Sequence, residues 1–99
     1  MFTVFQTLEF QEWVDKLRDR QVQFRIASRI RQAEAGNLGD WKPIEGPLFE
    51  MRLDVGPGYR LYCTRRERVL IVMLAGGAKI DQKRDIARAK RLLNQLESP

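Results

Sequence analysis

The chain contains no histidine and a single cysteine, Cys63. Those two shortages remove much of enzymology at once. An imidazole zinc site, a Ser/His/Asp triad, a Cys/His nucleophile pair and a two-histidine nuclease are all excluded. So are an internal disulfide and every CxxC metal or redox motif. No apolar run approaches the ~20 residues of a membrane span, and the opening Met1-Phe2-Thr3-Val4-Phe5 lacks the basic region and apolar core of a signal peptide. The expectation is a cytoplasmic protein whose chemistry, if any, rests on Arg, Lys, Tyr, Glu or Asp, with no cofactor.

What is present is a modest chain of 99 residues with 18 Lys plus Arg against 13 Asp plus Glu, a net charge of +5. That length suits one domain over residues 1–99, and no repeat, linker or low-complexity tract divides it. The basic excess points to a polyanionic partner, either nucleic acid or an acidic protein segment.

Residues 2–6 alternate as a short strand. From Thr7, an N-cap residue type, Phe10, Trp13, Val14 and Leu17 recur at helical spacing. After a turn near Asp19, Val22, Ile26, Ile30 and Ala33 make a second stripe, and Gly36 stands where a C′ glycine would end the helix. Residues 36–47 hold three glycines and two prolines and are expected to be loop. Trp41 in that loop would cap the core or stack on a base. Phe24, off its helical stripe, is an exposed apolar spot.

Three strand-like segments follow. In 48–55 the odd residues Phe49, Met51, Leu53 and Val55 are apolar, and in 59–65 so are Tyr59, Leu61 and Cys63. A Gly56-Pro57-Gly58 turn joins the two, and directly opposed residues share a face. Arg52 must then lie opposite Tyr62 or Arg60, and either register gathers Glu50, Arg52, Arg60 and Tyr62 on one partly open polar face. Residues 69–75 are apolar on both faces, as a central strand is. The Gly76-Gly77-Ala78-Lys79 run lacks the spacing of a phosphate loop and reads as a tight exit from that strand. A last helix from about Asp81 would turn Ile86, Ala89, Leu93 and Leu96 inward and Lys83, Arg84, Arg88 and Arg91 outward. The order is βααβββα, an α+β fold with an antiparallel sheet and helices on one face.

Two guanidiniums beside a carboxylate suit an anion site, because the Arg fork of donors matches phosphate. Lys79 would lie at one end of that groove. An ordinary cross-strand ion pair accounts for the same residues equally. Six of the 18 basic residues fall between Lys79 and Arg91, which would suit contact with RNA phosphates.

The run Glu50-Met51-Arg52-Leu53-Asp54-Val55-Gly56-Pro57-Gly58-Tyr59-Arg60-Leu61-Tyr62, together with Leu74 to Ala89 and its Gly76-Gly77-Ala78-Lys79, Gln82 and Asp85-Ile86, resembles the RelE/ParE toxin superfamily, in its HigB-like addiction module killer protein branch. The likeness spans nearly the whole chain, including Phe10 with Trp13 and Gly39-Asp40-Trp41-Lys42-Pro43. It implies a RelE-like toxin of a type II toxin–antitoxin pair, a metal-independent endoribonuclease that cleaves mRNA on the ribosome. A cognate antitoxin, often a helix-turn-helix protein, would neutralise it. By resemblance, Arg60 would stabilise the transition state, Arg52 would hold the scissile phosphate, and Lys79 would bind phosphate or donate to the leaving oxygen. Glu50 is the first choice for the base and Tyr62 the second. The phosphate-contacting helix would use Lys83, Arg84, Arg88 and Arg91. Several relatives of this kind use a C-terminal histidine, which this chain lacks. ParE-like relatives inhibit DNA gyrase instead, and a basic protein-interaction domain is the third reading.

Overall fold

A computed structural model describes residues 1–68 and 70–97. It contains β1 (Thr3–Gln6), α1 (Leu8–Lys16), α2 (Arg20–Glu34), β2 (Trp41–Glu45), β3 (Leu48–Leu53), β4 (Tyr59–Arg66), β5 (Leu70–Ala78) and, after a 3-10 turn at Lys79–Asp81, α3 (Gln82–Glu97). The fold is α+β. The five strands form one mixed sheet in the order β1-β5-β4-β3-β2, with β1 parallel to β5 and the rest antiparallel.

Local chemistry explains most boundaries. Thr7 caps α1 by accepting from the Phe10 amide at 3.0 Å, and its hydroxyl donates to the Leu74 carbonyl at 2.7 Å. One side chain therefore starts a helix and pins it to the central strand. Asp19 caps α2 through the Gln21 amide, and Gly36 beyond its end takes φ +98°, the left-handed conformation a C′ glycine adopts without strain. The Gly56-Pro57-Gly58 turn likewise uses positive φ at both glycines.

Several expectations are corrected. The sheet is mixed rather than antiparallel, because β1 pairs with β5, to which no hairpin joins it, and the two run parallel. Residues 41–45 are not loop but the edge strand β2, paired with β3 from Trp41↔Met51 to Glu45↔Leu48 around an irregularity between Pro43 and Glu45. Proline and glycine read as breakers, yet an edge strand tolerates a residue without an amide donor, and the bulge absorbs the misfit. Nor do the helices share one face. α1 and α2 bury Phe10, Val22, Ile26 and Ala33 against Phe49, Met51, Leu53, Leu61, Cys63, Ile71 and Met73. On the opposite face α3 buries Ala89, Leu92 and Leu93 against Leu48, Tyr62, Val72, Leu74 and Ala75. A strand apolar on both sides needs cover on both, and burying Leu92 and Leu93 contributes about 1.5–3 kcal/mol apiece. Val69, the first residue of the expected strand, lies outside the described residues.

The glycine pair is also corrected. Strand β5 runs through Gly76 and Gly77 to Ala78, and neither glycine has positive φ. They are small because two side chains occupy the space of a Cβ. One added at Gly76 would lie 2.2 Å from the Trp13 ring, and one at Gly77 would lie 1.8 Å from Asp85 Oδ2. Each glycine thus seats a side chain from a helix.

Phe10 is fully buried and Trp13 packs partly buried against it, with ring centroids 5.9 Å apart. Trp41 remains about half exposed and meets Phe49 edge-on at 5.6 Å. Phe24 is exposed, with the Arg31 guanidinium 5.9 Å from its ring centroid. Among the described residues, no helix is long and apolar enough to cross a membrane.

Candidate functional site

The β3–β4 register is Glu50↔Tyr62 and Arg52↔Arg60, one of the two that alternation allowed. It brings the four polar residues together on the face beneath α3. Arg60 Nε stands 2.9 Å and Arg52 Nε 3.2 Å from the same oxygen, Glu50 Oε2. The other carboxylate oxygen accepts from Gln82 Nε2 at 3.1 Å, so the start of α3 is tied to the centre of the sheet. Arg60 Nη1 donates to the Tyr59 carbonyl, while its Nε faces Glu50 without the alignment of a hydrogen bond.

This face is more enclosed than the sequence suggests, because α3 lies over it. Glu50 is 4% exposed, Arg60 7% and Tyr62 wholly buried. Only Arg52 of the four is open, with 33% of its side chain in solvent. The cluster is therefore a buried carboxylate gripped by two guanidiniums, one reaching the surface. Such a pair is kept by geometry more than by net energy, since desolvation offsets most of the attraction.

Tyr62 sits beneath the surface with no hydrogen-bond partner for its hydroxyl among the described residues. Burial, and then the negative charges of Asp85 and Glu50, push its phenol well above the ordinary tyrosine value, against the opposing pull of Arg60 and Arg88. A phenol held protonated away from solvent is poorly suited to taking a proton from a ligand. Cys63, also wholly buried, has its thiol pushed up by burial, which makes it inert.

Asp85 carries the second buried charge, missed at the sequence level because charged residues in a basic helix read as solvated. It is completely buried, and its Oδ1 lies 3.4 Å from Arg84 Nε and 3.5 Å from Arg88 Nη2. Arg88 does not point outward as expected. Its guanidinium turns in and donates to the Gly76 carbonyl at 3.0 Å. Leu92, unassigned from the sequence, turns inward, whereas Leu96 is partly exposed. Ile86, Ala89 and Leu93 face inward as expected, and Leu92 fills the place expected of Leu96.

The remaining predicted cations differ in availability. Arg84 is exposed but already paired with Asp81 at 3.4 Å as well as with Asp85. Lys83 and Arg91 are exposed on α3, and Lys79 is exposed where β5 ends, its amide donating to the Gly58 carbonyl at 2.9 Å. Lys79 therefore borders the β3–β4 turn, at the end of the sheet nearest Arg52 and Arg60.

Two positions supporting the site carried no sequence signal. Arg29 on α2 reaches across to donate to the carbonyls of Arg52 (2.5 Å), Leu38 (2.9 Å) and Asp40 (3.1 Å). It fixes the backbone under Arg52 and the approach to β2. Burial lowers its guanidinium from the ordinary value, with Asp40 the main opposing influence. Lys42, in the segment expected to be loop, lies directly opposite Glu50 in the β2–β3 register.

The chain matches no protein-family model. A Haemophilus influenzae protein described as "Uncharacterized protein" is 40% identical over 90 residues, covering 91% of each chain. Identity at that level, sustained over nearly the full length of both, means one fold with one core. The chain belongs to the same family as that Haemophilus influenzae protein.

Proposed function

We propose that this protein is a toxin of the RelE/ParE superfamily, in its HigB-like branch: a ribosome-dependent mRNA endoribonuclease held in check by a cognate antitoxin. The observation that carries the reading is the convergence of Arg52 and Arg60 on one anionic oxygen, Glu50 Oε2, at 3.2 and 2.9 Å. Two guanidiniums already held within ion-pair distance of a single anionic oxygen suit the charge of a phosphorane.

The reaction is attack of a ribose 2′-hydroxyl on the adjacent phosphate. The new P–O bond closes a 2′,3′-cyclic phosphate, the P–O5′ bond breaks, the hydroxyl proton is lost and the 5′-oxygen gains one. Arg52, the open member of the pair, meets the phosphate, and Arg60 adds positive charge from below. Lys79, exposed at the end of β5, supplies the proton or the positive charge at the leaving oxygen. Among the described residues Glu50 is the carboxylate paired with both guanidiniums, and its two oxygens are engaged by Arg52, Arg60 and Gln82. It therefore orients them, and is the base only when ligand draws the guanidiniums away. Tyr62, buried and protonated, maintains the packing below.

Induced expression in a bacterial host should stop growth, and primer extension on host mRNA should reveal new 5′ ends that require translating ribosomes. Arg52→Ala should abolish both and leave thermal unfolding nearly unchanged, since Arg52 is partly exposed. Co-expression of a helix-turn-helix protein from the adjacent locus should restore growth. Arrest with intact mRNA and signs of DNA damage would favour the gyrase inhibitor, and no arrest would favour a protein-interaction domain.

A further inference from the structure

The β2–β3 register has a consequence for the open end of the polar face. Lys42 lies opposite Glu50, so its side chain is on the same face as Glu50, Arg52 and Arg60. Ile44, two residues on, packs in the cluster beneath α3 and confirms that facing. An exposed lysine directly across from a glutamate ordinarily pairs with it. Here both Glu50 oxygens are engaged by Arg52, Arg60 and Gln82, and Lys42 has no ion pair among the described residues. The lysine is left as a free cation beside a site with no remaining negative oxygen to offer it.

The cross-strand rows extend the pattern. One row runs Lys42–Glu50–Tyr62–Ala75, and the next contains Arg52–Arg60–Gly77, with Lys79 beyond it where β5 ends. Strands are about 4.8 Å apart and residues about 3.4 Å apart along each. Lys42 and Lys79 therefore stand on the order of 20 Å apart along a diagonal that passes Arg52. Lys42 and Lys79 are exposed and Arg52 is partly open, and Lys79, like Lys42, lacks an ion pair among the described residues.

We infer that Lys42 is a substrate-binding residue, contacting a backbone phosphate on the strand of RNA that flanks the scissile phosphate held at Arg52. The RNA runs along the part of this face that α3 leaves open, from Lys42 on β2 to Arg52 on β3. The inference rests on the nuclease reading of the Arg52/Arg60 site. Lys42 touches no reacting bond, so it governs binding of the flanking strand and not the chemical step.

The test is fluorescence anisotropy with a labelled, single-stranded oligoribonucleotide lacking secondary structure, titrated with purified full-length protein over a series of salt concentrations. Lys42→Ala should weaken binding roughly three- to ten-fold and lower the magnitude of the salt slope by about 0.7. Lys42→Arg should preserve both, Lys42→Glu should weaken binding further, and Arg25→Ala, an exposed change on the far helix α2, should alter neither beyond its long-range charge. Matching melting temperatures would establish that the variants are folded. If Arg52→Ala weakens binding while Lys42→Ala leaves affinity and slope unchanged, the RNA does not pass Lys42 and the inference falls alone. If the wild-type protein fails to bind the oligoribonucleotide even at low salt, Lys42 holds no RNA strand and the inference falls, while the nuclease reading is decided separately by primer extension with translating ribosomes.

Discussion

Gly77 offers a quantitative test of how α3 is fixed to the sheet. Its backbone has ordinary strand geometry, so alanine would be accommodated there if space allowed, and would gain about 0.4–1 kcal/mol from a less flexible unfolded chain. Space does not allow it. The new methyl would lie 1.8 Å from Asp85 Oδ2 and 2.8 Å from its Cγ, where ordinary contact begins near 3.4 Å. The carboxylate would have to retreat by about 1.6 Å. Its contacts with Arg84 and Arg88, at 3.4 and 3.5 Å, are already long and would break. Overpacking costs about 1–3 kcal/mol, and separating a buried carboxylate from its partners adds a comparable amount. We expect Gly77→Ala to lose about 3 kcal/mol or more, a large part of the roughly 5–15 kcal/mol available to a domain of this size. Urea unfolding followed by tryptophan fluorescence measures it directly. Asp85→Ala alone should cost about 1–3 kcal/mol, and in that background Gly77→Ala should become neutral or stabilising, because the obstructing oxygen has gone. Equal costs of Gly77→Ala in the two backgrounds would refute the seating of Asp85 on Gly77.

Two further outcomes follow from single side chains. Tyr62→Phe removes a hydroxyl that has no partner, so at neutral pH stability should change by less than about 1 kcal/mol. Because the native phenol is raised above its unfolded value near 10, wild-type stability should be intact below that pH and fall as pH rises above it; denaturant unfolding across that range should show a shallower fall for Tyr62→Phe. Thr7→Ala deletes both the cap on Phe10 and the tie to Leu74, and should cost about 1–2 kcal/mol by denaturant unfolding, whereas Thr7→Ser should recover most of it.

The parts legible in the sequence were those written as period and punctuation. Alternation placed Phe49, Met51, Leu61 and Cys63 on one core face and narrowed the hairpin to two registers. Thr7, Asp19 and Gly36 marked their helix ends because each supplies a specific backbone partner or conformation. The polar face was legible as a grouping but not as a depth. Whether Glu50, Arg60 and Tyr62 are open depends on which side α3 covers, and nothing local to β3 or β4 encodes that. β2 was hidden by Pro43 and its glycine-rich flanks, which propensity penalises and an edge position forgives. With β2 unread, Lys42 had no cross-strand neighbour. Asp85 and Arg88 were misread for a related reason: a basic helix surface and a buried charge pair have the same spelling, and only the gap left by Gly77 distinguishes them.

The parallel pairing of β1 with β5 also bears on how the chain folds. Thr3 meets Leu70, and Thr7 bonds to Leu74 across 67 positions of sequence. By contrast, β2 to β5 form a run of neighbours, each joined to the next by a short connection. Loop-closure entropy favours contacts close in sequence, so the four-stranded meander that gathers Glu50, Arg52 and Arg60 has the shorter route to assembly. On a ribosome, residues 1–36 emerge long before the strand they must lie beside has been made. The apolar faces of α1 and α2 can meet β3 and β4 first, β1 gains its neighbour only when β5 is made, and α3, made last of all, closes the opposite face.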